Sequence, residues 1–405
     1  MNFLFAWRYF KSKKSTNAIN IIAWISVLAI AVSTAALIIV LSVFNGFEDL
    51  VKSLYGDFYS DIKVAPAKGK FAAIDSALEQ KIAAVNGVGK LSFVTEEKAV
   101  LVNGDYQTIV YLKGVDKNYT DVSKIGQHIV AGQYDLGSPN MPAIVAGSGI
   151  SNAVGADPDA KLSGLVIYLP NRKATSFNSL DAMHSFNVTT AGIFVVQQEF
   201  DDKYAFTNLP FLQYMLDLNP DEYSGIELSV TSAAKTEGVK LQLQQILGSN
   251  FTVRTRYEQN QSLFTVMQIE KWVIYGILSL ILLVAAFNMI GALTMLVLEK
   301  QKDIAVLKAM GAHDTRIQNI FLTEGFVLAG TGGISGMLIA FLICAVQLKY
   351  KLVKLEGATF MIDYYPVKMS LPDFFLVAFT VLTVAVLAAW IPSRKAAAQM
   401  YSLKS

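Results

Sequence analysis

The sequence predicts an α-helical membrane protein with four transmembrane helices and a large α+β domain outside the membrane. Three observations lead there. The 405 residues are 53% hydrophobic and only 16% charged, which is outside the range of an ordinary soluble domain. The apolar excess falls in four charge-free runs, at 21–44, 272–298, 325–348 and 374–393. The interval 45–268 is long enough to fold around a core of its own. About 20 apolar residues cross the hydrocarbon core as a helix. A charge at a helix centre costs roughly 2.5–3.5 kcal/mol on insertion scales, so each run reads as a span.

The segment 1–20 carries Arg8, Lys11, Lys13 and Lys14 with no acid among them. The tail 394–405 carries Arg394, Lys395 and Lys404, again without an acid. Excess Lys and Arg mark cytoplasmic flanks, so both termini are expected in the cytoplasm. The first run is expected to be a signal anchor rather than a cleaved leader, because it exceeds the roughly 7–15 apolar residues of a signal peptide. This topology places 299–320 in the cytoplasm, and 45–268 and the loop 349–373 outside. Lys349, Lys351 and Lys354 in that loop run against the rule.

Within 45–268, the alternation at 61–65 reads as a strand, and 71–85 reads as a helix with Phe71, Ile74, Leu78 and Ile82 on one face. Strands are expected at 91–102 and 106–114, joined at Asn103-Gly104. The order recurs near the far end as strand 226–230, helix 233–247 and strand 251–255. The pattern predicts a split α/β subdomain with a mostly β subdomain inserted at about 116–222.

Little in the chain points to catalysis. His128, His184 and His313 lack metal-ligand spacing, so no metal site is expected. Gly147-Ser148-Gly149 falls short of a nucleophile elbow and reads as a turn. No G-x-x-x-x-G-K-S/T occurs, so the chain has no P-loop of its own. No basic cluster interleaved with aromatics suggests nucleic acid. The single cysteine, Cys344, lies inside the third run, and a large outer domain without cysteine suits a bacterial envelope. No carboxylate or ammonium is expected near the span centres, which counts against an ion-driven carrier. Gly330, Gly332, Gly333 and Gly336 form a small-residue face, with Gly332 and Gly336 spaced for close helix packing, within the chain or between subunits.

The segment 299–312, EKQKDIAVLKAMGA, follows the second span directly. Asp303 near its start and Lys308 near its end suit the helix dipole. Ile304, Leu307 and Gly311 share one face, with Val306 and Met310 beside it. Such an element either lies on the inner leaflet or docks into a groove on a cytoplasmic partner.

That segment, with Arg316-Ile317 and 320–325 (IFLTEG), resembles the conserved block of ABC-transporter permeases of the MacB/FtsX superfamily. Trp7-Arg8-Tyr9-Phe10, the run LSVFNGFE at 41–48, Gly192-Ile193-Phe194 with Asp201/Asp202, and Glu270-Lys271 resemble signatures of the lipoprotein-releasing permeases of LolC/LolE type. The resemblance implies a non-catalytic permease in the bacterial inner membrane, with ATP bound by a separate ABC ATPase and no cofactor of its own. It makes Glu299, Lys300, Lys302, Asp303, Ile304, Leu307, Lys308, Met310 and Gly311 the coupling residues for that ATPase. It also implies a second permease copy, identical or not, a lipoprotein substrate, a periplasmic lipoprotein carrier and membrane lipids as partners. The acyl path is expected along Ile39, Val40, Val43 and Phe44 of the first span and Val273 and Ile277 of the second. A MacB-like exporter or FtsX-like transmitter of mechanical work is the alternative within the superfamily. A membrane sensor with a periplasmic ligand-binding domain is the alternative outside it.

Overall fold

The computed structural model describes residues 17–159, 164–171, 183–355 and 362–398. The expected Trp7–Phe10 signature and the basic residues before the first span lie outside the described residues. The described residues fall into two units: one is built on four long helices, and the other spans Val51–Phe264.

In chain order the helices used below are α1 (Asn17–Phe58), α2 (Ser76–Ala83), α3 (Ser148–Val154), α4 (Gln198–Asp201), α5 (Leu209–Met215), α6 (Thr236–Leu247), α7 (Gln261–Glu299), α8 (Gln301–Ala309), α9 (Asp314–Tyr350) and α10 (Leu371–Ala398). Helices α1, α7, α9 and α10 are long and apolar enough to cross a membrane. Helix α1 outruns its charge-free stretch, so Asn45-Gly46-Phe47-Glu48 is helical rather than the start of a loop. Pro392 lies near the C-terminal end of α10.

The membrane unit is held by small residues on two sides of α9. A Cβ on Gly332 would sit 2.8 Å from the carbonyl oxygen of Val27, and one on Gly336 would sit 2.4 Å from that of Ala31. Both therefore seat α9 on α1. Gly333 and Gly325 face the other way, toward Val381 and Ala389 of α10, while Gly330 meets open space. Of the four glycines expected on one face, Gly332 and Gly336 thus serve α1, Gly333 serves α10 and Gly330 serves neither, because they lie on different stripes of one helix. Leu37, Ile38, Leu41, Met289, Leu293, Ala340 and Val377 fill the centre of this unit.

The second unit is organised by one large sheet. Its strands are β1 (Ile62–Pro66), β2 (Ala72–Ala73), β3 (Val88–Asn103), β4 (Tyr106–Val115), β5 (Ile129–Gly132), β6 (Ala143–Gly147), β7 (Leu165–Pro170), β8 (Met183–Asn187), β9 (Thr189–Phe194), β10 (Tyr204–Asn208), β11 (Glu222–Tyr223), β12 (Gly225–Val230) and β13 (Phe251–Thr255). The path runs β13-β1-β12-β3-β4-β10-β6-β9-β5; β7 pairs with β3 and β8 with β7, while β2 and β11 form a separate pair. The β3–β4 hairpin turns at Gly104-Asp105, since Asn103 pairs with Tyr106. This is one residue later than the Asn-Gly signal suggests, with Gly104 supplying the positive φ of 58°.

The two flanking β-α-β segments meet in the sheet as β13-β1-β12-β3. Helices α2 and α6 contribute Ile82, Val239, Leu243 and Leu247 to a core with Ile62, Val64, Ile226 and Leu228. Asp75 caps α2 by accepting from the amide of Leu78. The middle block makes a second core from Leu101, Leu112, Ile144, Leu165, Ile167, Phe211 and Leu212. Its strands belong to the same sheet as those of the flanking segments. Parallel pairing of β10 with β4 continues the same sheet into it.

Candidate functional site

Two places carry the features that the sequence singled out, both within the membrane unit. The first is α8. Helix α7 ends at Glu299, and Lys300 turns the chain into α8. The amide of Lys300 still donates to the Leu296 carbonyl, so the two helices are nearly continuous. The far end is a Schellman motif: the Ala312 amide donates to Leu307 and the Gly311 amide to Lys308, with Gly311 at φ 87°.

The inward side of α8 rests on its own spans. Ile304 packs with Leu296, Val297, Ile317, Phe321 and Ala396. Only 2% of Ile304 is exposed. This side chain is turned into its own bundle and leaves the outward face of α8 to other residues. The interior claims it because the 3.6-residue period turns it toward the ends of α7 and α9. Lys308 is also engaged within the chain, donating to the Ala397 carbonyl at 2.7 Å and pairing with Asp314 at 3.1 Å. Lys300 pairs with Asp303 at 3.5 Å. Glu299, Lys300 and Leu307 are half-buried, whereas Lys302, Asp303, Val306, Met310 and Gly311 are exposed. Val306 at 50% and Met310 at 71% exposure give an apolar outward face on a charged helix.

The second place is the opposite end of the same helices. Lys271 donates to Asn45 Oδ1 at 2.7 Å, and the Asn45 amide nitrogen donates to Asp373. Lys271 also lies 3.8 Å from Asp373. One side chain each from α1, α7 and α10 thus forms a polar clasp, with Asn45 and Asp373 buried and Lys271 half-buried. Gly46, next in α1, lies against the backbone of Pro366 and Val367, where a Cβ would fall 2.3 Å from the Pro366 oxygen. Tyr275 of α7 is hydrogen-bonded to Thr380 of α10 nearby. Replacing Asn45 with Leu strands Lys271 and Asp373 without their shared bridge. This is expected to cost roughly 3 kcal/mol. A lower unfolding midpoint of the detergent-solubilised chain is the readout; an unchanged midpoint would remove the clasp from what holds the spans together.

The expected acyl-path residues divide into two groups. Ile39 and Val43 line an apolar cleft of about 510 Å³ with Leu342, Val346, Leu352 and Val353. Val40 and Phe44 are half-buried on α1. Val273 and Ile277 stand more than half exposed on α7 and do not border that cleft.

The FtsX-like permease C-terminal model matches residues 275–399, and the MacB-like periplasmic core domain model matches residues 23–246, more than half of the chain. The chain belongs to the MacB/FtsX-like permeases and is of LolC/LolE type. It is 26% identical to the lipoprotein-releasing system transmembrane protein LolC of Neisseria meningitidis, over 96% of each chain. It is 25% identical to the LolE protein of Haemophilus influenzae, over 98% of this chain and 96% of that one. Among solved structures, the periplasmic region of MacB from Actinobacillus actinomycetemcomitans aligns with 53% of this chain and 97% of that one, at 10% identity and a TM-score of 0.35. Permeases of this type are non-catalytic transmembrane subunits of ABC transporters, and this one is an inner-membrane protein with a periplasmic domain.

The permease signatures acquire physical reasons. In the LSVFNGFE run, Asn45 makes the clasp and Gly46 makes the close approach, and Lys271 of Glu270-Lys271 closes it. Asp201 accepts from the Val196 amide at 3.0 Å. Burial raises its carboxyl to about 6, against amide donors that pull it down. Gly147 and Gly149, read as a turn, flank the start of α3 so tightly that a Cβ on either would strike Asp201 or Asp202. His128 lies 3.3 Å from Asp57, and His184 donates to the Met215 carbonyl. Sequence reasoning missed the buried pair of Lys113 and Glu227 at 2.7 Å in the sheet. Burial pushes the Glu227 carboxyl up, and Lys113 with Lys63 more than reverses this, holding it below the usual range. Both charges sit in strands whose alternation would otherwise read as ordinary.

Proposed function

We propose that this permease extracts triacylated lipoproteins from the outer leaflet of the inner membrane and passes them to a periplasmic carrier. A separate ATPase would drive it through α8, with both termini in the cytoplasm. The observation that carries the coupling role is the pairing of an anchored inner face, centred on Ile304, with an exposed outer face of Val306 and Met310. A helix fastened to α7, α9 and α10 transmits a push to the spans; a loose loop would absorb it. Lys302 and Asp303 border that face and suit charge pairing with the ATPase.

The energetics favour a powered device. Exposing acyl chains of roughly fourteen buried CH₂ groups each, at ~0.8 kcal/mol per group, costs on the order of 30 kcal/mol for three chains. A sheltered apolar route is therefore needed, and the exposed Val273 and Ile277 on α7, with Val40 and Phe44 on α1, supply apolar surface for it when a second permease closes over them. A MacB-like exporter would share α8 but not this cargo.

The test is reconstitution of the permease with its ATPase and a labelled triacylated lipoprotein in vesicles. Release into solution is expected to require both ATP and the carrier protein. ATP hydrolysis stimulated by the permease with no lipoprotein released would sink the cargo assignment and leave the coupling assignment standing.

A further inference from the structure

We infer that the apolar cleft between α1 and α9 is a binding site for one acyl chain of an anionic phospholipid, whose phosphate is held by Lys349, Lys351 and Lys354. The cleft of about 510 Å³ lies within the size range of small-molecule pockets, and its lining is almost wholly apolar. Ile39 and Val43 of α1 and Leu342 and Val346 of α9 form its walls. Leu352, Val353 and Tyr365 from the segments after α9 form its roof.

That roof is built and fastened. Gln347, only 8% exposed, donates to the carbonyls of Val353 and Tyr365 and accepts from the Val353 amide. Lys351 ends α9 in the left-handed region at φ 50°, where glycine is usual, with its amide still bonded to Gln347. This reverses the chain, so that Leu352 and Val353 return over the cleft instead of running out into solvent.

The lysines choose the occupant. Lys349, Lys351 and Lys354 are exposed and bracket the roof in sequence. Among the described residues none of the three forms an ion pair, and Lys351 instead stands 4.0 Å over the ring of Tyr364, next to the lining Tyr365. Three cations within a few residues of a span on its outer side oppose the positive-inside rule. A phosphate at the headgroup level gives them a counter-charge. The acylated end of a lipoprotein has apolar chains but no phosphate, so the lysines favour a phospholipid over the transported cargo. The outer-leaflet location rests on the topology proposed above; the lipid class does not, and the experiment reads lipid class alone.

The full-length chain is purified in detergent, exposed to equal amounts of phosphatidylglycerol, phosphatidylcholine and diacylglycerol, and analysed by native mass spectrometry. Retention of one phosphatidylglycerol, at least about tenfold above the other two, is expected from a lysine cluster of this size. The triple variant Lys349→Gln, Lys351→Gln, Lys354→Gln should bring it down to the phosphatidylcholine level, and Val43→Trp should lower all three by filling the cleft. Leu352→Trp, on the exposed roof, serves if Val43→Trp does not fold. Equal retention of all three lipids, an unaffected triple variant, preference for diacylglycerol, or a purified chain carrying no lipid would each overturn the inference. Lipid retention by the unmodified chain, with no lipoprotein released in the separate reconstitution, would instead count against the transport reading and leave this inference standing.

Discussion

Replacing both Val306 and Met310 with Asp is expected to abolish co-purification of the ATPase with the permease while leaving the chain folded in the membrane. Each side chain is at least half exposed, so the change removes apolar surface from the proposed docking face and nothing from the interior. Burying a side chain of this size contributes roughly 1.5–3 kcal/mol, so losing two weakens binding by about 100-fold or more before the cost of burying a carboxylate. Pull-down from detergent, with membrane fractionation as the folding control, gives the answer. Retained ATPase would rule out this face as the contact. Ile304→Ala should behave differently: it removes packing from the inner cluster and lowers stability by about 2–5 kcal/mol. Reversing the charge of Lys308 is a less clean probe of docking, because its ammonium is bound to Ala397 and Asp314 of the same chain.

The second large effect is expected at Gly336. A Leu there cannot be seated, since its Cβ alone would stand 2.4 Å from the Ala31 oxygen and 2.8 Å from the Thr34 side chain. Helices α1 and α9 must part, and overpacking of this kind costs about 3 kcal/mol, the upper end of the usual range, when the obstacle is backbone. Gly330→Leu is the matched control, because that Cβ meets nothing within 4 Å. Collapse of the yield of monodisperse protein for Gly336→Leu, with Gly330→Leu unchanged, is the predicted pair of results. Similar behaviour of the two variants would refute the close approach.

Much of this architecture was legible in the sequence, for reasons that differ by element. The four spans stand out because hydrocarbon tolerates almost no charge, so the runs at 21–44 and 374–393 could hardly be anything else. The Ile62–Pro66 and Phe251–Thr255 strands, and the Thr236–Leu247 helix, followed from local periodicity. The pairing of β10 with β4 did not, because parallel neighbours far apart in sequence leave no local trace. The outward face of α8 was half legible. Its amphipathic period was plain, but which stripe would turn inward depended on Leu296, Phe321 and Ala396 arriving from three other helices. The clasp was invisible as a unit, though Asn45 and Lys271 both lay in recognisable signatures. Nothing in the sequence of Asp373, at the start of the last span, announces that it answers them.

The clasp bears on how the chain is made. Asn45 and Asp373 are 328 positions apart and meet only at the bonding step. Synthesis delivers the first helix early and the last one at the end. Through most of translation Lys271 lacks Asp373, and α1 and α7 have no polar fastening to α10 at their clasp ends. The finished bundle is therefore sealed by its C-terminal helix. A ribosome stalled, or a chain cut, before Leu371 leaves a product that is inserted but unlocked. Such a product is marked by a Lys271 that lacks its acidic partner.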